Sequence, residues 1–233
     1  MIKQCNKRLF VVLISMIAVL LLSSSVAFAA SSGECGDLTW TLNSSGVLTI
    51  SGSGEMEEIY DEDEDYWRPN KASIKKLVIN SGVTSISDWA FADCSNLTTI
   101  TLPSTLEQIG DGAFENCTGI TSITLPDSVT AIGEYAFKGT SITSITTPVN
   151  WTEIPYGVVS PFAGSTKLKT VVIPEGATVV PGYAFCGNSD APTTSITSIT
   201  LPSTLEQIGD GAFENCTGIT SITLPDSVTA IGE

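Results

Sequence analysis

The sequence predicts a mostly β solenoid of short parallel strands with little helix, closed at its N-terminal end by a β-hairpin cap. Three observations carry that prediction. The 35-residue stretch Ile100 to Glu134, ITLPSTLEQIGDGAFENCTGITSITLPDSVTAIGE, returns residue for residue as Ile199 to Glu233. Inside it a shorter unit of about 23 residues recurs, so that Ile100, Leu102, Pro103, Ile109 and Gly110 reappear as Ile123, Leu125, Pro126, Ile132 and Gly133. Within each unit Ile and Leu alternate with Thr and Ser, the period of a strand with one buried face. A fixed period of roughly 20 to 50 residues marks a chain in which each unit buries its apolar face only against its neighbours.

Residues 1–29 are read as a signal peptide. Lys3, Lys7 and Arg8 precede the apolar run Leu9 to Leu22, and Ala27-Phe28-Ala29 fits a small-residue cleavage site, with Ala30 as the mature start. The run is shorter than the about 20 residues a membrane span needs, so no span is expected after cleavage. Removing this segment takes away three cations and no acid, which moves the formal charge from −15 to −18. So acidic a chain repels nucleic acid and anionic lipid headgroups.

Residues 30–73 form the expected cap and an acidic loop. Leu38, Trp40 and Leu42 share one face, and after Asn43-Ser44-Ser45-Gly46 the alternation resumes at Leu48 and Ile50. Two alternating runs around a turn-rich tetrapeptide read as a hairpin, and its apolar face suits the open end of a solenoid. The run Glu55 to Asp65 repels itself and belongs in a solvated loop. A calcium loop is the alternative, but the sixth-position Gly and twelfth-position Glu of an EF-hand are missing. Trp67 is expected to tuck against the first coil.

Residues 74–233 carry about six complete units and a partial one, beginning at Ile74, Leu97, Ile120, Ile142, Leu168, Ile196 and Ile219. The template is L-x-x-I-x-L-P-x-x-L-x-x-I-G-x-x-A-F-x-x-C. Ile100 and Leu102 define a first strand, and Pro103, which cannot donate to a ladder, ends it. Leu106 and Ile109 return apolar groups along an opposite wall, Gly110 allows a corner, and Ala113-Phe114 closes the coil. Phe91, Phe114, Phe137, Phe162, Phe185 and Phe213 should stack as a spine. Cys94, Cys117 and Cys216 share one position, three after a Phe, so they project in parallel. Parallel side chains seldom reach disulfide geometry, and the mature count of five is odd, so buried thiols are expected. Trp151 occupies an interior position.

The L-P step, the I-G step and the A-F-x-x-C ending resemble the BspA-like, or Treponema-type, leucine-rich repeat. The leader CGDLTWTLNSSGVLTISGSGEM is similar to the segment that precedes such repeats in bacterial surface proteins. The resemblance runs from Cys35 to Glu233 and implies a leucine-rich repeat solenoid. Two units depart from the pattern. The unit at Ile142 has Thr147 for Leu and extra residues around Val158 to Pro161, and the unit at Leu168 has Asn188 for Cys and the insertion Gly187 to Thr194.

Chemistry is sparsely supplied. The chain has no His, so neither a Ser-His-Asp nor a Cys-His arrangement can be built, and without a C-x-x-C pair zinc is excluded as well. Asp111 and Glu115 recur as Asp210 and Glu214, the mark of a solvated ridge rather than an acid–base pair. No enzyme activity and no cofactor are expected. The binding candidates are the outward residues of the first strands: Thr99, Thr101, Ser122, Thr124, Ser144, Thr146, Thr170, Ser198 and Thr200. Stacked coils make them two hydroxyl ladders on a concave face; Thr is also simply a good exposed strand residue. What the resemblance implies is a secreted or cell-surface protein that binds a host or neighbouring-cell protein, with a glycan as the other ligand class. The alternative is a spacer or targeting arm whose catalytic or anchoring domain lies beyond Glu233, where the array is expected to continue.

Overall fold

The computed structural model describes residues 30–58, 66–155, 157, 159–187 and 195–233. The expected signal peptide, the acids Asp61 to Asp65, Val158, Asn188 and the insertion from position 188 to 194 lie outside the described residues. What is described is a β solenoid whose one helical piece is a 3-10 turn, Arg68–Ser73.

The N-terminal cap holds one strand more than the hairpin read from the sequence. Strands β1 (Ser31–Cys35), β2 (Leu38–Leu42) and β3 (Val47–Ser51) form an antiparallel meander. Alternation does not announce β1, because SSGEC carries a single apolar side chain, Cys35. The last cap strand then pairs in parallel with β4 (Lys76–Ile79), matching Leu48 to Leu77 and Ile50 to Ile79. The meander thus supplies the solenoid with a zeroth strand.

Each later coil has three walls. The first wall carries β4, β6 (Thr99–Thr101), β9 (Ser144–Thr146), β10 (Thr170–Val172) and β12 (Ser198–Thr200). Its parallel pairing is interrupted at Ser122 to Thr124, which form no strand, so the wall divides into the cap sheet and the sheet of β9, β10 and β12. The break coincides with the shortest step between units, the 22 residues from Ile120 to Ile142. At the end of the wall the proline carbonyl accepts the amide three residues on, as in Leu106 N to Pro103 O at 3.2 Å, and this reverses the chain.

The second wall carries the expected short return strands: β5 (Ser85–Ile86), β7 (Gln108–Ile109) and β8 (Ala131–Ile132), then β11 (Val179–Val180), β13 (Gln207–Ile208) and β14 (Ala230–Ile231). The third wall is an unforeseen ladder through the A-F turn. Trp89, Phe91 and Asp93 donate their amides to the carbonyls of Asp111, Ala113 and Glu115 on the next coil, at 2.7, 2.9 and 2.8 Å. The first and last of these donors take the left-handed conformation, with φ of 49° at Trp89 and 60° at Asp93, and Phe91 between them does not.

Between the walls runs the aromatic spine. From Phe91 to Phe213 the six rings stack with centroid spacings of 5.5, 5.6, 5.3, 5.6 and 5.7 Å. Trp67 continues the column below Phe91 at 5.4 Å, and Trp40 meets Trp67 edge-on at 6.0 Å. The Trp67 indole Nε1 donates to Ala90 O at 2.8 Å, taking the place of the backbone amide that a preceding coil would supply. Trp151 is buried as expected, edge-on to Phe185 at 5.9 Å.

No disulfide joins the five described cysteines, which are all buried thiols. Cys117 Sγ donates to Phe91 O and Cys216 Sγ to Phe185 O, both at 3.1 Å, while Ser165 fills the same role with a 2.7 Å bond to Phe137 O. At three of these positions the side chain is a small donor that reaches back one coil, while Thr140 donates to Phe137 O of its own coil at 2.8 Å. Burial pushes the Cys94 thiol up to about 12 and Cys117 higher still, so neither forms the reactive thiolate near neutrality. Denatured chain beginning at Ala30 should titrate as five thiols with a disulfide reagent at pH 8, and native chain only slowly; a denatured count of three or one would refute this account.

One sequence inference needs correcting. Gly110 was assigned to corner flexibility, yet its φ is not left-handed. The glycine is there because the preceding coil comes too close: a Cβ on Gly110 would lie 2.7 Å from Asp88 N and closer still to the Asp88 carboxylate. Gly133 faces Asp111 in the same way, with Asp111 N at 2.5 Å. Where no described coil presents a carboxylate from behind, at the corner of the first unit, Ser87 stands in the glycine position.

Candidate functional site

The first wall places the predicted ladder residues on its outer face. Thr99, Thr101, Ser144, Thr146, Ser198 and Thr200 are exposed on strands and Thr170 is half-exposed, with their inward neighbours Ile145 and Val171 buried. Register fixes two columns: Thr170 lies between Ser144 and Ser198, and Val172 lies between Thr146 and Thr200. Lys76 and Val78 begin the same columns, opposite Thr99 and Thr101. Ser122 and Thr124 are exposed but lie outside any strand, so the structure brings two groups of hydroxyls together rather than one continuous ladder.

Some of the hydroxyls are bound within the solenoid. At the proline corner Thr105, Ser128, Thr204 and Ser227 donate to carbonyls of the preceding coil at 2.6–2.8 Å. Thr140, Ser160 and Ser165 are buried and donate to backbone carbonyls around the spine. All of these but Thr140, which bonds within its own turn, hold coil to coil. The nine hydroxyls of the predicted ladder make no side-chain hydrogen bond among the described residues. Their side chains form no hydrogen bond that ties one described coil to the next.

The acids of the third wall do structural work. Asp88 accepts the amide of Asp111 at 2.7 Å, and Asp111 accepts that of Glu134 at 2.8 Å, so the acid after each corner ties one coil to the next. Burial, and then the nearby Asp88 and Glu134, hold the Asp111 carboxyl above its usual value. Glu115 pairs with Lys138 at 2.9 Å. Among the described residues no three His, Cys, Asp or Glu side chains converge to hold a metal ion, and no helix is long and apolar enough to cross a membrane.

Sequence reading missed one exposed feature. Trp89, Tyr135 and Tyr183 hold the left-handed position two before the spine Phe, at φ 49–58°, where Gly112 and Gly211 stand on other coils. The alternation is steric: a Cβ on Gly211 would meet the Tyr183 ring at 2.8 Å, and Gly112 lies against the Trp89 indole in the same manner. The Trp89 and Tyr183 rings each lie over the glycine of the next coil, whereas Tyr135 is followed on the next coil by Ser160. The signal was present in the sequence as D-W-A-F, D-G-A-F and G-Y-A-F, but only the φ sign explains it.

The model of the BspA type leucine rich repeat region matches the chain in six copies, over residues 68–192 and 191–233. Among solved structures, the chain is similar to a leucine-rich repeat protein from Eubacterium ventriosum, at 23% identity and a TM-score of 0.51 over 88% of this chain and 68% of that one. It is similar to a leucine rich repeat protein from T. pallidum at 21% identity and a TM-score of 0.53, over 81% of this chain and 91% of that one. It also aligns with a leucine rich cell surface protein from Faecalibacterium prausnitzii at 25% identity over 87% of this chain and 50% of that one, with a TM-score of 0.42. No curated protein matches the chain. The first two likenesses show the fold, and the words "cell surface" describe the Faecalibacterium protein.

Proposed function

The chain belongs to the BspA-type leucine-rich repeat family, and from that premise we propose that it is a binding module working outside a bacterial cell, displayed or released, whose concave first-strand wall captures a protein of a host or neighbouring cell. The reading is supported above all by the contrast between the exposed hydroxyls of this wall and those bound at the proline corner. Ser and Thr at the proline corner are consumed in holding coils together, whereas the nine on this wall make no side-chain hydrogen bond among the described residues and stand in columns where the strands form. An array of donors and acceptors that need not be desolvated on folding suits a protein surface. A glycan is the weaker fit, because no aromatic ring stands on the first strands for sugar to stack against. The family premise and the absence of any His point away from catalysis.

The test is positional. A photo-crosslinking residue placed at Thr101, Thr146 or Thr200 in mature chain should yield adducts when the chain is incubated with intact host or neighbouring cells. The same residue at Gln108 or Gln207, exposed on the second wall, should yield none. Adducts from the second wall alone would overturn the assignment. Adducts from neither wall would favour a spacer or targeting arm for a domain beyond Glu233.

A further inference from the structure

We infer that the first-strand wall is built for an anionic partner, and that the segment it takes is an acidic, Asp- and Glu-rich stretch of protein about six residues long in extended form. The inference rests on the reading of this wall as the binding surface and adds the chemistry of the partner.

The argument is a partition of charge. The whole sequence holds 25 acids against 10 cations, yet of the fourteen described strands only β1 contains an acid, Glu34. After residue 29 the chain has six lysines. Two of them are paired on the third wall, Lys71 with Asp93 and Lys138 with Glu115, both at 2.9 Å. The other four, Lys75, Lys76, Lys167 and Lys169, are exposed, sit at the start of the first wall and make no ion pair among the described residues. Lys76 opens β4 in register with Thr99, and Lys169 immediately precedes β10.

In a molecule this acidic, unpaired lysines would be expected to find carboxylates by chance. Here the acids that bound the wall stand at its other end and are engaged there. Asp127 and Glu175, at the far corner past the prolines, accept amides of the next coil, Val149 N at 3.3 Å and Ser203 N at 3.1 Å. The result is an acid-free strip with a basic pair on the coil of Ile74, another on the coil of Leu168, and hydroxyl columns between them.

Four coil steps separate the pairs, about 19 Å at the usual strand spacing, which an extended segment of about six residues spans. Carboxylates at its ends would meet the lysines, and hydroxyls between would donate to carboxylates or peptide carbonyls. The rest of the surface repels such a ligand, so the strip selects where it lands rather than attracting it from afar.

The test uses mature chain and a fluorescein-labelled Glu-Glu-Gly-Ser-Gly-Ser-Glu-Glu peptide, with its Gln-for-Glu counterpart as control, followed by anisotropy at physiological ionic strength. Binding of the glutamate peptide alone is expected. Lys76→Glu and Lys169→Glu should each weaken it by about fivefold or more, and Lys71→Gln and Lys138→Gln should leave it unchanged. No binding to the parent chain, equal binding of the glutamine peptide, or an equal loss in Lys138→Gln would each overturn the inference. So would tighter binding of a heparin oligosaccharide, which would make the strip a sulfated-glycan site. To separate this inference from the function it rests on, crosslinked capture is repeated with Thr101→Trp, a bulky neutral change. Capture lost in Thr101→Trp but kept in the two glutamate variants sinks the acidic partner alone. Capture kept in all three sinks both.

Discussion

Phe137→Ala is expected to lower stability by about 3–5 kcal/mol, the usual cost of truncating a fully buried Phe. The ring has no exposed surface and lies between Phe114 at 5.6 Å and Phe162 at 5.3 Å. In a globular core the neighbours of a deleted ring can close in from several sides. Here two rings face each other along one axis, and their spacing is fixed by backbone bonds on the second and third walls, so the void stays open. Coupling in a solenoid runs only between adjacent coils, so the deletion also weakens the link between the coils on either side. Chemical denaturation should show a lower midpoint and a broader transition. Phe213→Ala, whose ring is only partly buried, should cost distinctly less. Equal losses at the two positions would mean that the rings do not act as a column.

Trp67→Ala should be comparably damaging, by about 3–5 kcal/mol, and its conservative partner separates the two jobs of the side chain. Trp67 is fully buried, stacks on Phe91 and donates to Ala90 O. Trp67→Phe keeps a ring in the column and removes the donor, leaving a buried carbonyl unsatisfied at a cost of about 1–3 kcal/mol. Hydrogen exchange would locate the damage: amides of β4 and of the turn around Phe91 should lose protection first in Trp67→Ala, with the last coils affected least. Uniform loss along the chain would show that the cap does not act locally.

Most of the coil was legible in the residues. Ile and Leu set against Thr and Ser gave the first wall, Pro103 and its equivalents gave its end, and a Phe per unit gave the spine. What escaped the sequence was contact between coils, which one unit cannot display. Gly110 answers to Asp88, 22 residues earlier, and reads by itself as a flexible corner. Trp89 and Gly112 look unrelated until both prove to share a left-handed position on adjacent coils. The wall proposed for binding was readable as columns of Ser and Thr. That these hydroxyls differ from those at Thr105 and Ser128 was not, because the distinction lies in partners on the neighbouring coil. β1 went unseen because its pairing owes little to apolar alternation.

The ladder through the A-F turn has an electrical consequence. Neighbouring strands of an ordinary sheet carry peptide groups that point alternately left and right, so their dipoles cancel. Along Trp89, Phe91 and Asp93 the three participating N–H groups point toward the following coil, and the C=O groups that accept them point toward the preceding one. Three aligned peptide groups per coil then add up along the axis, as they do in an α-helix, and the end nearest the cap gathers carbonyl oxygens. Arg68 and Lys71 stand at that end, with Arg68 Nη1 donating to Trp89 O at 3.3 Å and Trp67 Nε1 to Ala90 O. The cap is therefore a counter-charge as well as an apolar plug, and the solenoid has an electrically negative head that its own cations neutralise.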